Sequence, residues 1–546
     1  MLDGCVPWPE ATAAAYREAG YWRGETLGQL LRGWAAAYGG RTALVGGDRR
    51  VTYAELDSWA DRLAAGFASR GIRPGDRIVV QLPNTPEFVA VCFGLFRLGA
   101  LPVFALPAHR HNEISHLCAH SGAAAYVVPD VHQGFDHREL ATEVLASVPT
   151  LREVFVLGDP GPHSSLDELW ATEAPVPAQD APAGADPADA AFFLLSGGTT
   201  ALPKLIPRTH EDYGYQIRAA SEVCELDGDT VYLAVLPIEF NFTWGCPGVL
   251  GTLSKGGTVV LARTPNPDEC FALIERERVT MTSCVPTIAH MWLDAAEWSE
   301  RDLSSLQVLQ IGSAKLHPEV AARVTPTLGC RLQQVFGMAE GLLTFTRYDD
   351  PLDRVLTTQG RPISPADEIR VVDTEGRPVA HGETGELLTR GPYTLPGYYR
   401  AEEHNARAFT EDGFYRSGDL VRLTDDGDMV VQGRVKDVII RGGDKVSATE
   451  VERHVTAAHE GIQQAAVVAM PDELMGERVC AFIVPAGEPP RLPELKRLLR
   501  ARGLAEYKLP DRLEVIDAFP LTGLRKVDKK ALSAELAQRM ATATAG

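Results

Sequence analysis

The chain has 546 residues, 45% hydrophobic and 23% charged, with a formal net charge of −20. Chains beyond about 250–300 residues divide into domains, and this composition is that of a folded rather than a disordered protein. The excess of acids excludes nucleic acid or an anionic membrane surface as the main partner, but not a phosphate-bearing small molecule held by a local cluster of donors.

In chain order, the N-terminus carries acids early and lacks the basic start and apolar core of a secretory signal. Ile78–Leu82 reads as a buried strand. Pro86 to Leu98 reads as a helix with Thr85 as N-cap and Pro86 at its first position. Runs at Ala124–Val128, Val154–Leu157, Val231–Val235, Thr258–Leu261 and Val308–Ile311 read as further strands. Such runs separated by helices predict an α/β fold with stacked, mostly parallel sheets. The Ala/Pro/Asp-rich segment 174–190 reads as a solvated loop. From about residue 365, shorter strands with Gly- and Asp-rich turns predict a β-rich subdomain, and a last α+β stretch begins near Val435. The longest apolar runs, such as Phe192–Leu195, fall far short of the ~20 residues of a membrane span. Nine cysteines are spread singly from Cys5 to Cys480 without a CxxC pair, which suits a reducing compartment. The expected location is cytoplasmic, with no membrane and no nucleic-acid partner.

Several segments carry chemistry. Ser196 to Lys204 packs two glycines (Gly197, Gly198), three hydroxyls (Ser196, Thr199, Thr200) and one lysine into nine residues after a strand. Glycines let backbone amides approach an anion, and hydroxyls with an ammonium complete a nest for phosphate; the same composition also serves a plain turn. The Walker A spacing is absent. Glu340, bracketed by small residues, is a candidate Mg2+ ligand or a solvated loop acid. Asp419 can accept both hydroxyls of a ribose and Arg434 can neutralise phosphate, although either residue type also suits an ordinary turn. The basic run 520–530 contains Lys526. His109, His111, His116, Cys118 and His120 cluster, and His116 and His120 have the spacing of a helical zinc pair; the apolar face formed by Ile114, Leu117 and Cys118 disfavours a metal there.

In this order and spacing, these segments resemble the adenylate-forming superfamily of acyl- and aryl-CoA synthetases, peptide-synthetase adenylation domains and luciferases. The strings KLIPRTH, QQVFGMAEG, TRGPYTLPGYY and DELMGE are similar to those of stand-alone aryl-acid AMP ligases over essentially the whole chain. The resemblance implies a large N-terminal domain over 1–435, comprising stacked sheets, helices and the β-rich subdomain, and a small mobile α+β domain over 436–546, hinged at Lys436. It implies that Ser196, Gly197, Gly198, Thr199, Thr200 and Lys204 grip the phosphates of ATP. Gly312, Ser313 and Ala314, with Gln334, Val335, Phe336, Gly337 and Met338, would line the adenine and aryl pockets. Glu340 would bind Mg2+, Asp419 the ribose with Arg434 nearby, and Lys526 the reacting carboxylate. Two positions depart from the family: Arg525 replaces a glycine before the catalytic lysine, and Ala201 replaces one in the phosphate loop.

Phe240, Asn241, Phe242, Cys246 and Leu343, with Gly312, Val335 and Gly337, would form the aryl-acid pocket. Asn241 would meet an ortho hydroxyl. Cys246 and Leu343 match salicylate members, a thiol and a longer aliphatic being poor partners for a buried 3-hydroxyl. Glu239 is expected either to face solvent or to pair with an amino substituent, and Gly245 to enlarge the pocket floor. The expected reaction is ATP-dependent activation of salicylate or a ring-substituted congener, then transfer to the phosphopantetheine thiol of an aryl carrier protein acting in trans. The alternatives are an aryl-CoA or amide/ester-forming ligase using CoA or a small nucleophile, acting on 3-hydroxyanthranilate or 2,3-dihydroxybenzoate, and a non-catalytic ligand-binding member. Retention of Lys204, Glu340, Asp419, Arg434 and Lys526 counts against the last.

Overall fold

A computed structural model describes every residue except 172–184, 197–202, 442–443, 473–474, 503, 505–507, 523–524 and 545–546. Most of the loop expected over 174–190, and Gly197, Gly198, Thr199, Thr200 and Ala201, therefore lie outside the described residues. The chain forms two compact units. The first comprises Met1–Gly198, Leu202–Glu368 and Thr389–Tyr415; the second includes Ile369–Leu388 and Arg416–Gly546.

Two sheets organise the first unit. The nine-stranded sheet has a parallel middle in the order Arg331–Met338, Val308–Ile311, Met281–Cys284, Val231–Ala234, Thr258–Leu261, Thr42–Gly46, with antiparallel strands at both edges. The seven-stranded sheet runs parallel from Ala190–Leu195 through Leu101–Phe104, Arg77–Val80, Ala125–Pro129 and Glu153–Leu157 to Ser164–Ser165; Leu205–Thr209 pairs antiparallel with its first strand. These strands read as continuous apolar runs because both faces are covered. Phe192 joins the same core as Ile78, Tyr232 and Val259 between the two sheets, whereas its neighbour Phe193 points into a separate core with Leu117 and Val156. Leu233 likewise turns from that shared layer into a third core with Trp292 and Leu309. The stacked α/β architecture follows.

The helix Pro86–Leu98 has the bounds its sequence predicts, with Pro86 at the first position and Gly99 left-handed at its end. Thr85 occupies the N-cap position, but its buried hydroxyl makes no capping bond. In the second unit, Glu368–Val372, Gly385–Arg390, Tyr415–Leu423 and Met429–Arg434 form a four-stranded sheet. The helix Ala448–Thr456, whose N-cap Ser447 accepts from Glu450 N, packs against this sheet and against the five-stranded sheet built on Ile462–Asp472 and Gly476–Pro485. Among the described residues no helix is long and apolar enough to cross a membrane.

Candidate active site

The antiparallel strands Ala190–Leu195 and Leu205–Thr209 end on the pair Leu195↔Leu205. Just beyond it, Ser196 N donates to Lys204 O (3.0 Å) and Lys204 N donates to Ser196 Oγ (3.1 Å). These two bonds tie Ser196 to the Lys204 backbone just past the ends of the two strands. The imidazoles of His116 and His120 stack at 5.3 Å; their Nε2 atoms lie 3.1 Å from Pro203 O and 3.3 Å from Tyr399 O. The pair thus braces two backbone segments, and among the described residues no three His, Cys, Asp or Glu side chains are arranged to hold a metal.

Glu340 sits in the turn joining Arg331–Met338 to Gly341–Phe345 and is buried. A side chain at Gly341 would come within 2.6 Å of Thr394 Cα, so glycine is what lets this turn lie against the neighbouring loop. Leu395 N donates to Glu340 O (2.8 Å). The Tyr398 hydroxyl donates to Glu340 Oε1 (2.7 Å) and shares a hydrogen bond with the Tyr415 hydroxyl (2.9 Å), while Lys204 Nζ lies 5.6 Å from the Tyr398 ring centre. Burial, then the Glu340 carboxylate, push the Tyr398 phenol upward, which keeps it a donor. Tyr398 was not singled out from the sequence; its signal was its place in the TLPGYY string.

The short helix Asn241–Gly245 presents the expected pocket residues. Asn241 Nδ2 donates to Met338 O (3.3 Å), and its Oδ1 accepts from the Tyr213 hydroxyl (2.9 Å) and Gln216 Nε2 (3.1 Å). A Cβ on Gly312 would stand 3.1 Å from both the Phe242 ring and Val335 O, and one on Gly337 would overlap Leu343. Cys246 is buried, 3.6 Å from Gln216 Nε2. Asn241, Phe242, Cys246, Gly312, Val335, Gly337 and Leu343 are thereby neighbours. Phe240 packs against the core containing Trp292, as Phe242 also does, but unlike Phe242 it does not reach the core that holds Cys246, Val335 and Leu343; Ser313 and Ala314 are exposed just after Gly312. Phe336 and Met338 are half-buried. The Gln334 side chain faces inward, donating to Val355 O (2.5 Å) and accepting from Gln359 (3.2 Å).

Two expectations are overturned here. Gly245 does not enlarge the floor, because a Cβ there would overlap the Tyr213 hydroxyl, which already fills that space. Glu239 does not face solvent: it is buried, neither carboxylate oxygen has a hydrogen-bond partner among the described residues, and burial pushes its carboxyl well above the usual range.

In the second unit Asp419 and Arg434 are direct cross-strand partners, with Arg434 Nε 2.8 Å from Asp419 Oδ1. Ser417 Oγ accepts from Asp419 N (3.0 Å). This pairing fixes a carboxylate capable of taking two vicinal hydroxyls. Lys436 lies in the 3-10 turn Val435–Asp437. Lys526 is half-buried in a turn closed by Thr522 N→Lys526 O (2.8 Å) and Lys526 N→Thr522 Oγ1 (3.2 Å); Arg525 before it adopts φ +54°.

A buried acid near a lysine that follows a glycine- and hydroxyl-rich stretch suits a ligase that activates a carboxylate as its acyl-adenylate; the second unit carries, by itself, the cross-strand Asp419–Arg434 pair and the Lys526 turn. The chain belongs to the AMP-binding enzyme family: that family's model matches residues 31–399, and the model of its C-terminal domain matches 450–526. It is 55% identical to the 2,3-dihydroxybenzoate-AMP ligase of Bacillus subtilis (strain 168), covering 99% of both chains. It is 49% identical to the salicyl-AMP ligase / salicyl-S-ArCP synthetase of Mycobacterium tuberculosis, over 98% of this chain and 95% of that one. The solved structure of Mycobacterium smegmatis MbtA in its apo form is 48% identical and superimposes with a TM-score of 0.76, over 97% and 98% of the two chains. The protein is an adenylate-forming ligase.

Proposed function

We propose that this ligase activates an ortho-substituted benzoate, salicylate or a ring-substituted congener, as its aryl-adenylate, and passes the acyl group to the phosphopantetheine thiol of a carrier protein. The observation that carries this reading is the grouping around Asn241, with the Phe242 ring beside Gly312 and Val335, and Leu343 against Gly337. An aromatic and aliphatic lining of this kind suits a flat ring, and the Asn241 amide suits one polar ortho group. Cys246 and Leu343, both buried, are poor partners for a 3-hydroxyl. 2,3-Dihydroxybenzoate is the second reading, favoured by the name of the Bacillus relative.

In the proposed reaction the aryl carboxylate attacks the α-phosphorus of ATP and pyrophosphate leaves. Both reactants are anionic, so the barrier falls where cations neutralise charge as it develops. Lys204 and the 197–202 loop would hold the leaving phosphates, and Asp419, fixed by Arg434, the ribose. Lys526 would meet the carboxylate and the bridging oxygen. The buried Glu340 carboxylate is a hard oxygen donor of the kind Mg2+ takes, and the ion would supply neutralisation of the phosphate oxygens. Domains over 1–435 and 436–546, turning about Lys436, would bring the thiol to the adenylate in the second half-reaction.

The test is aryl-acid-dependent exchange of labelled pyrophosphate into ATP. The panel is salicylate, 2,3-dihydroxybenzoate, 3-hydroxyanthranilate, anthranilate, benzoate and a medium-chain fatty acid. Exchange is expected to be fastest with salicylate. A much higher kcat/KM for 2,3-dihydroxybenzoate would select the second reading, and silence with every benzoate would refute both.

A further inference from the structure

The Asn241 amide is held by a chain of hydrogen bonds that begins at a cation. Arg208 is fully buried. Its guanidinium donates to Asp212 Oδ1 (3.0 Å), Ala339 O (3.1 Å), Tyr393 O (3.2 Å) and Gln216 Oε1 (3.0 Å). A guanidinium only donates, so the oxygen end of the Gln216 amide must face it. The nitrogen end then faces Asn241 and donates to its Oδ1, which also receives the Tyr213 hydroxyl. With two donors on that oxygen, Asn241 Nδ2 is turned to Met338 O. Reversing the Asn241 amide would set its NH2 against the Gln216 N–H donor and its oxygen against the Met338 carbonyl. Losing buried hydrogen bonds in this way costs about 1–3 kcal/mol each.

Gly245 belongs to the same device. Any side chain there would overlap the Tyr213 hydroxyl, so glycine is what allows Tyr213 to reach Asn241. An amide NH2 has two hydrogens; one goes to Met338 and the other is what Asn241 can offer a ligand.

We propose that Arg208, acting through Gln216, fixes Asn241 as a hydrogen-bond donor, so that the pocket selects aryl acids whose ortho substituent accepts a hydrogen bond over those whose ortho substituent donates. The accepting class comprises a hydroxyl oxygen or a ring nitrogen; the donating class is an ortho amine. A phenol ortho to a carboxylate donates its O–H hydrogen bond to that carboxylate and leaves its oxygen lone pairs outward. An aniline nitrogen delocalises its lone pair into the ring and turns N–H bonds outward, against the Asn241 donor. Arg208 and Gln216 are positioning residues and Asn241 is the group that reads the substituent. The inference rests on the aryl-acid reading above.

The experiment compares salicylate, anthranilate, picolinate and benzoate in pyrophosphate exchange, for the wild type and for Gln216→Glu and Gln216→Met. Wild type is expected to favour salicylate over anthranilate by about a hundredfold in kcat/KM, with picolinate on the salicylate side. Gln216→Glu offers only acceptors, so Asn241 turns its NH2 toward position 216 and its oxygen toward the acid. The salicylate-to-anthranilate ratio should then fall at least tenfold, while kcat/KM for benzoate, which has no ortho group, stays within about threefold. Gln216→Met removes the lock without reversing it and should lower the ratio by a smaller factor; it carries the same test if Gln216→Glu does not fold. A ratio unchanged in a folded variant, or a wild type that prefers anthranilate, overturns the inference alone. No exchange with any aryl acid overturns the functional reading and the inference with it.

Discussion

The two sets of charged residues that the sequence and structure single out are built in opposite ways. Around Asn241, Arg208 and Asp212 are at most 1% exposed and joined at 3.0 Å within a closed polar network. In the second unit, Arg434 is 44% exposed beside Asp419 at 7%, and Lys526 stands half-buried on a turn. Groups that select a substrate have to be fixed, and burial fixes them. Arg434 and Lys526, proposed to meet phosphate and a transient charge, need access, and the fold leaves both more open to water than Arg208 and Asp212. Function and stability should therefore separate in one region and coincide in the other.

Lys526→Ala breaks the comparison most directly. Removing a cation that acts only as charge develops is expected to slow adenylate formation by at least about a hundredfold, with a denaturation midpoint like that of wild type. Wild-type-like exchange rates would refute the lysine's assignment. Arg208→Ala is the converse. It leaves Asp212 buried without its cation, for a loss of about 3–5 kcal/mol of stability, seen in urea unfolding before any effect on rate is interpretable. Burial already pushes the Asp212 carboxyl upward even with Arg208 beside it.

Cys246→Ser combined with Leu343→Val sharpens the contrast within the pocket. The pair supplies a hydroxyl partner and room, and should shift the kcat/KM ratio toward 2,3-dihydroxybenzoate by about tenfold, the value of one modest hydrogen bond. An unchanged ratio would mean that these two side chains do not face the 3-position.

Glu239 is the exception inside the interior region, a buried acid with no partner among the described residues. Its carboxyl is harder to ionise folded than unfolded. Its contribution to stability is thus fully present below the unfolded value, about 4.3, and is lost as pH rises through the folded one. Over that window stability should fall by up to about 1.4 kcal/mol per pH unit. Glu239→Gln cannot ionise and should flatten this part of the profile, raising the unfolding midpoint at neutral pH. Parallel profiles for the two proteins would show that Glu239 finds a partner in solution.

What the sequence disclosed, and what it hid, follows the same division. The buried strands and the helix Pro86–Leu98 were readable because apolar runs and a proline at the first helical position act locally. Thr85 shows the limit, since its N-cap position was predictable but the fate of its hydroxyl was not. Asn241 was found by its neighbours in sequence. Gln216 and Tyr213 were not, because they lie on another helix, His210–Val223, and matter only through contacts that the fold creates. The expectation that Glu239 faces solvent failed for the same reason: the residue lies in a turn after the strand Val231–Ala234, and its burial depends on elements distant in sequence, such as the helix Pro86–Leu98 that carries Cys92.

The smallest expected effect concerns Arg525, where a departure from the family pattern has a backbone consequence. Its φ of +54° is the left-handed region, which costs a residue with a Cβ about 1–2 kcal/mol and glycine almost nothing. The turn holds it there, through Arg525 N→Thr522 O (2.8 Å), Thr522 N→Lys526 O (2.8 Å) and the bridge Leu521↔Val527. Arg525→Gly should therefore stabilise the protein by about 1 kcal/mol or less, part of the gain being offset by the freer unfolded chain. Arg525→Ala keeps the strain and should match wild type. Because Lys526 follows directly, kcat for exchange should stay within about twofold in both variants if the arginine side chain has no part in the chemistry. A larger fall in both variants would assign the guanidinium a role beside Lys526; a fall in the glycine variant alone would show that a rigid turn is what the lysine requires.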